Sequence, residues 1–491
     1  MAEEKKIISR NLEDNIEYFW SLNSHDSDIV VRRFKIKDID AALITCEGLT
    51  DKDFIGESIL KPIFLGNDIP KDPVKMYSYM RDRVICVNEQ TDVFDFDELS
   101  LKVMSGFCIL LVDGVPVALA ADAKGFEKRS VNDPITEIVD RGSREGFVEV
   151  AKINMSLIRR RLKTPDLRFE CTEIGDKSAT TVIMCYLNDR VSPQILNEVR
   201  RRLKDIRLDN VLESGYIQPF LDTNRLSFFS AVGYTERPDT LCAKISEGRI
   251  GVIVDGTPLV LIVPYLFSEN FQSFDDYCNR PFYATFVRLL KYTAFFLSMT
   301  FPGLYVAIGS FHPEILPESL LYDIAASESR TPFSIMIEAF LIHLIYEILH
   351  QAGLRLPKPV GNTISIVGAL VIGESAVTAG IISAPMVMVV AFTAISAFLV
   401  PQLYNASAVL RLVFIIIGGT TGVFGVFIFL TLVAVSICSM SPYEVPFSAP
   451  FAPFDLRAMR DGVLRIGWKN LGKRVFKIQT AYGSENSEDG E

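Results

Sequence analysis

The residues best placed to do chemistry sit where charge is least expected. Glu374 stands alone in the apolar run LRLPKPVGNTISIVGALVIGESAVTAGIISAP, and Glu338, His343 and Glu347 lie within PFSIMIEAFLIHLIYEILH. Charge at bilayer depth is costly unless it faces protein or water, so an ionisable side chain there marks a functional position by default. For Glu374 the alternative is a protonated carboxyl bonded to a neighbouring helix. His343, Glu347 and His350 follow i, i+4, i+7 spacing and share one helix face, with Glu338 turned away from Glu347. That face reads as polar packing near the cytoplasmic end of the helix rather than as a metal site. The four His and eight Cys are dispersed, with no CxxC pair, so neither a metal nor a cofactor is expected. No phosphate-binding glycine motif and no Ser-His-Asp or Cys-His arrangement is present, so no enzyme is expected.

The elements that position these residues are membrane helices. From Tyr292 to Phe454 only 12 of 163 residues are Asp, Glu, Lys or Arg, and several apolar runs approach the roughly 20 residues needed to cross a bilayer. The expected membrane domain is 281–454, with spans at about 289–310, 332–350, 363–384, 386–404 and 412–438. Arg288 and Lys291 before the first span, and Arg355 and Lys358 after the second, place those ends inside, with the acidic loop 311–331 outside. Pro302 removes a backbone hydrogen bond that other helices must compensate. Ser365, Ala369 and Gly373 recur every four residues, as do Ala376, Gly380 and Ala384, and Gly418 and Gly422 have GxxxG spacing. All three patterns favour close helix packing.

Between 455 and 477, seven basic residues face only Asp455 and Asp461, which predicts a cytoplasmic tail, 455–491, lying against the membrane. Five crossings that begin inside would leave this tail outside. Either 363–384 dips in and returns, which is the preferred reading, or 412–438 breaks into two shorter passes.

Residues 1–285 carry 37 basic and 46 acidic side chains. The start, MAEEKKIISRNLEDN, lacks the apolar core of a secretory signal, so this part is expected in the cytosol with reduced, packed thiols. Its acidic balance argues against nucleic-acid binding. Two segments predict tight hairpins, FCILLVDGVPVALAADA turning at Asp113 and Gly114, and RIGVIVDGTPLVLIVPYLF turning at Asp255 and Gly256. Each is preceded, roughly 70 residues earlier, by an apolar strand that runs into a helical pattern. Cys46 and Cys185 are 139 apart and Asp113 and Asp255 are 142 apart, which predicts a duplication. The divisions are an N-terminal segment 1–30, a first α/β subdomain 31–135, a helical connector 136–175 and a second α/β subdomain 176–280. The connector ends in Arg159, Arg160, Arg161 and Lys163, read as a solvated face paired with local acids, with phosphate or anionic lipid as the alternative. The fold class is therefore a duplicated α/β cytosolic N-terminal region followed by an all-α polytopic membrane domain.

Five blocks in order, RGSREGFVEVAKINMSLIRRRL, ERPDTLCAKISEGRIGVIVDGTPLVLIVP, LYVAIGSFHPEILPESLL, LRLPKPVGNTISIVGALVIGESAVTAG and PFSAPFAPF, resemble the A subunit of the GerA family of bacterial spore germinant receptors over nearly the whole chain. The resemblance implies a multi-pass subunit of the spore inner membrane, partnered by a permease-like B subunit and a lipoprotein C subunit. It implies a homo-oligomer that forms a nutrient-gated cation path in the bilayer. Segment 363–384 would line that path, through Ser365, Ala369, Gly373, Glu374, Val377 and Gly380. Family members commonly carry Gln where this chain has Glu374. The alternatives are a secondary transporter with Glu374, Glu338 and His343 as a relay, and a non-conducting structural subunit of a spore complex.

Overall fold

Gly114 and Gly256 hold φ angles of 84° and 93°, the left-handed conformation that Asp-Gly hairpins require, and a five-stranded sheet is built around each turn. These strands come from a computed structural model that describes residues 6–23, 26–66, 69–125, 134, 136, 137, 139, 141–224, 227–355, 373–456, 458–467 and 478. The first sheet contains β1 (Ile29–Ile36), β2 (Ile39–Cys46), β3 (Gln90–Val93), β4 (Phe107–Val112) and β5 (Ala118–Asp122). The second contains β6 (Leu167–Ile174), β7 (Thr180–Leu187), β8 (Gly233–Thr235), β9 (Ile250–Val254) and β10 (Val260–Val263). Their orders are the same, β1-β2-β4-β5-β3 and β6-β7-β9-β10-β8, with antiparallel neighbours throughout.

Side chains alternate between the faces of a strand, and both faces of each sheet are covered by helices. Ala41 and Leu43 join Met76 and Met80 on one side of the first sheet, whereas Ala42 and Ile44 join Ile16 and Phe19 on the other. In the second sheet, Val182 and Met184 pack with Ile195 and Val199, and Ile183 and Cys185 with Ile158 and Leu241. Each unit is thus a three-layer α/β/α sandwich.

The repeat begins earlier than its strands. Helices α1 (Leu12–Asn23) and α2 (Ala151–Arg161) open the two units in the same way. Asp113 Oδ1 accepts the Leu12 N–H at 3.1 Å, and Asp255 Oδ1 accepts the Ala151 N–H at 2.9 Å. Asn15 bonds both the N–H and the carbonyl of Ser9, and Asn154 does the same to Val148. Each hairpin aspartate therefore caps a helix more than a hundred residues away. The segment expected to be a connector instead contains the first helix of the second unit.

The helical region comprises α3 (Pro281–Phe311), α4 (Glu318–Glu328), α5 (Ile335–Arg355), α6 (Ala384–Phe398) and a stretch Tyr404–Cys438. The first, third and last are long and apolar enough to cross a membrane, and α6 is shorter. The stretch Tyr404–Cys438 is not straight. The Phe414 and Phe429 rings lie 4.9 Å apart, whereas 15 residues of continuous helix would separate them by about 22 Å. The chain reverses at Gly422, with φ 71° and ψ −161°, giving α7 (404–421) and α8 (423–438). A Cβ at Gly422 would sit 3.3 Å from Phe311, the last residue of α3. The reversal therefore lies at the end of the bundle remote from the sheets.

This is the break of 412–438 into two shorter passes given as the alternative above, and it corrects the single span expected there. Residues 363–372 lie outside the described residues, and a short helix at 373–378 is closed by Gly380 at φ 64° before α6 begins. The helix expected over 363–384 is therefore interrupted.

Gly422 occupies a backbone region essentially closed to other residues, which cost of order 1–3 kcal/mol there. Gly422→Ala should lower the denaturation midpoint of the protein in detergent by an amount matching about 2 kcal/mol or more. Val435→Ala, on the exposed face of α8, should leave the midpoint nearly unchanged. An equally small shift for Gly422→Ala would mean that the reversal tolerates a side chain.

Candidate functional site

Three sets of buried polar and aromatic groups hold this molecule together. The first is the seam between the two α/β units. Arg159, 1% exposed, reaches out of α2 to grip Asp28 with Nε and Nη2, each at 3.0 Å, and donates through Nη1 to the Leu167 carbonyl at 2.9 Å. Asp26 accepts the Phe169 N–H at 3.0 Å and Arg168 Nη1 at 3.2 Å. A bidentate, charge-assisted fork of this kind is among the stronger polar contacts in a protein. Burial, helped by Asp28 and opposed by the two arginines, pushes the Asp26 carboxyl up to about 6. Arg160 and Arg161 pair with Glu145, so the basic run does meet acids. Arg159, however, is buried rather than solvated, and its acids come from the other unit.

The second set is a joint between the second unit and the helices. Phe267 and Phe271 lie after β10 in the chain, Phe295 belongs to α3, and Phe447 comes from the PFSAPFAPF segment. Phe267 lies 5.3, 5.9 and 6.0 Å from the Phe271, Phe295 and Phe447 rings, and Tyr292 stacks on Phe271 at 3.9 Å. Hydrogen bonds to backbone carbonyls reinforce the rings. Phe267 N–H donates to the Phe447 carbonyl at 2.9 Å, and Tyr443 Oη to the Leu221 carbonyl at 2.7 Å.

Beside the rings, Arg288 is fully buried and donates through Nε to Asp276 at 2.7 Å and through Nη1 to Asp461. Tyr277 Oη donates to the same Asp461 at 3.0 Å. Glu269 accepts Lys244 and Arg249, both at 2.5 Å, and the Leu266 N–H at 2.8 Å. Burial works against the Glu269 charge, but Arg249 and Lys244 outweigh it and hold the carboxyl below the usual range. The second unit, the first helix and the returning C-terminal segment therefore form one body.

The third set lies within the helices. Pro302 has no N–H, so the carbonyl of Ser298 loses its helical partner. Arg411 Nε of α7 donates to that carbonyl at 2.9 Å. A Cβ on Gly418 would lie 2.2 Å from the Gly303 carbonyl oxygen, and one on Gly303 would lie 2.5 Å from that of Phe414. Backbone contact between α3 and α7 brings the arginine within reach.

Glu338 has no exposed surface, and its Oε1 accepts both the N–H and the Oγ of Ser383 at 2.6 and 2.7 Å. On α5, His343 Nδ1 lies 2.8 Å from the Ala339 carbonyl, and Glu347 accepts the Tyr404 hydroxyl at 2.8 Å. Among the described residues, no group of three or more His, Cys, Asp and Glu side chains is placed to hold a metal ion.

Two of the five sequence blocks thus fall on structural joints, PFSAPFAPF in the aromatic cluster and the basic α2 helix in the seam. The family model for the Bacillus/Clostridium GerA spore germination protein matches residues 17–476. The chain belongs to the GerA family. Spore germination protein KA of Bacillus subtilis (strain 168) is 36% identical over 477 residues, which is 96% of this chain and 87% of that protein. The uncharacterized membrane protein YfkQ of the same organism is 33% identical over 483 residues, 98% of this chain and 94% of that protein. The crystal structure of the N-terminal domain of the A subunit of the Bacillus megaterium spore germinant receptor GerK3 aligns at 30% identity. It covers 54% of this chain and 99% of that one, with a TM-score of 0.44.

In this GerA-family chain, the residues singled out from sequence separate into distinct places. Glu374 is exposed on the helix 373–378, beside a buried Gly373 and a half-buried Val377. Gly380 ends that helix against the Arg330 carbonyl, and Ser365 and Ala369 lie outside the described residues. Glu338 faces the start of α6, whereas His343 is buried and Glu347 turns to Tyr404. Gly418 packs on Gly303, and Gly422 makes the reversal. Sequence reasoning missed Arg411 as the partner of the orphan carbonyl, although Pro302 announced that one was needed. It also missed Asp26, Asp28, Asp276 and Asp461, which no local pattern distinguishes from surface acids.

Proposed function

We propose that this chain is the A-type subunit of a spore germinant receptor. In this reading it sits in the spore inner membrane with a permease-like B subunit and a lipoprotein C subunit. Helices α3, α5, α6, α7 and α8 lie in the bilayer, and copies of the chain assemble through them into a nutrient-gated cation path. The observation that supports this best is the joint. Because the second α/β unit is fused to both the first helix and the segment after the last, a shift imposed on the N-terminal region is carried into α3 and α8 together. The N-terminal region and residues 455–491 then share the cytoplasmic side. A nutrient held by a partner opens the path only if it binds the open and closed assemblies unequally. Glu374, exposed beside α6, is the acid that a water path or a neighbouring copy would meet.

Planar-bilayer recordings of the full chain reconstituted with its partners test this reading. Discrete cation currents on adding germinant, with conductance changed several-fold by Glu374→Gln, are the expected result. An assembled complex that stays silent with every germinant would make the chain a scaffold instead.

A further inference from the structure

Ser383 sits between two carboxyl groups, and its single hydroxyl proton cannot serve both. Its Oγ lies 2.7 Å from Glu338 Oε1 and 3.1 Å from Glu328 Oε1. A hydroxyl donates one hydrogen bond and accepts others, whereas an ionised carboxylate only accepts. If the Ser383 proton goes to one carboxylate, the contact with the other is a hydrogen bond only when that carboxyl carries a proton and donates it to Oγ. We propose that Glu328, Ser383 and Glu338 hold one proton between them, and that its loss releases α4 from the start of α6.

The environments assign the proton. Glu338 also accepts the Ser383 backbone N–H at 2.6 Å, at the N-terminus of α6, where the helix dipole favours a negative charge. Glu338 Oε1 accepts both contacts from Ser383, so the carboxyl that donates to Oγ is that of Glu328. Burial, followed by the Glu338 charge, pushes the Glu328 carboxyl up to about 7, so its proton exchanges near neutrality. Among the described residues, the other titratable group facing the pair is Tyr305 of α3. Arg330 turns its side chain to solvent and its carbonyl toward Gly380. At this end α7 brings the uncharged Ile415 and, against Met336, Gly419. Among the described residues, no cation side chain bonds the second oxygen of Glu338, which has no hydrogen-bond partner there. Once Glu328 ionises, two carboxylates repel each other across one hydroxyl. Only Ile324 of α4 is buried, so little apolar contact opposes departure of that helix.

Amide hydrogen exchange over residues 318–331, in the full chain reconstituted in lipid and corrected for intrinsic rates, tests the proposal. With a proton lost near pH 7, protection should fall about tenfold between pH 6 and 8. Glu328→Gln, whose amide still donates to Ser383 but does not titrate, should stay protected and flat. Ser383→Ala should be unprotected at both values. Infrared difference spectra of the wild type between the same pH values should show one protonated carboxyl band disappearing. A flat wild-type exchange profile, a missing band, or a Glu328→Gln profile that tracks the wild type would each overturn the proposal.

Discussion

Arg159→Met should open the seam between the two α/β units by about 3–5 kcal/mol, the usual result of removing one partner from a buried ion cluster. The methionine fills much of the space but leaves Asp26 and Asp28 buried side by side without their shared cation. Cys46 is a built-in reporter. It is fully buried, and its Sγ lies 3.4 Å from Asp28. Its alkylation rate in the membrane-bound full chain should therefore rise by about two to three and a half orders of magnitude, at roughly 1.4 kcal/mol per tenfold.

The pH dependence has a definite sign. Asp26 titrates at about 6 in the fold against about 3.9 when unfolded, so the folded state binds more protons between those values. Its contribution to stability therefore falls as pH rises from about 4 to about 6. Without Arg159 the carboxyl should be harder still to ionise, and acid should partly restore the variant. Adding Asp28→Asn to Arg159→Met should recover most of the loss, because Asp26 keeps Arg168 as its cation and no uncompensated charge then remains. A single-variant effect below about 1 kcal/mol would mean that the apolar contacts hold the seam.

The second large effect is expected at Arg288. Arg288→Met leaves Asp276 buried without its cation and takes from Asp461 the guanidinium that ties the C-terminal segment to α3. A local penalty of about 3 kcal/mol corresponds to roughly a hundredfold faster hydrogen exchange across 458–467. If the joint carries the nutrient signal, germination in spores bearing the variant should fall at least tenfold at unchanged membrane abundance. Arg288→Lys should fall between, since one ammonium cannot reproduce the fork that reaches both Asp276 and Asp461. Normal germination alongside a detached tail would separate the joint from signalling.

Much of the architecture could be read without coordinates, because its causes are local. An Asp-Gly pair between apolar strands needs only its own backbone preferences to specify a hairpin, so Gly114 and Gly256 identified both turns. The recurrence of those strands at one offset revealed the duplication. Apolar stretches identify membrane helices because their environment is set by composition along the segment itself. Pro302 announced an orphan carbonyl because the missing N–H is its own. Gly422 shows where local reading stops. Four residues after Gly418 it looks like half of a packing motif, but its positive φ makes it a reversal, a property of the whole backbone path. The same limit explains Arg159, Arg288 and Arg411. Each is a basic residue in a sequence full of them, and each has its role only because packing brings it to an acid or carbonyl far along the chain. Residue order alone was enough to place both hairpin turns, the duplication and the stretches apolar enough to cross a membrane, and to show that a carbonyl would be left open. Only the tertiary structure decided which charges are buried against each other, because the partner of a buried charge is set by which surfaces close over it.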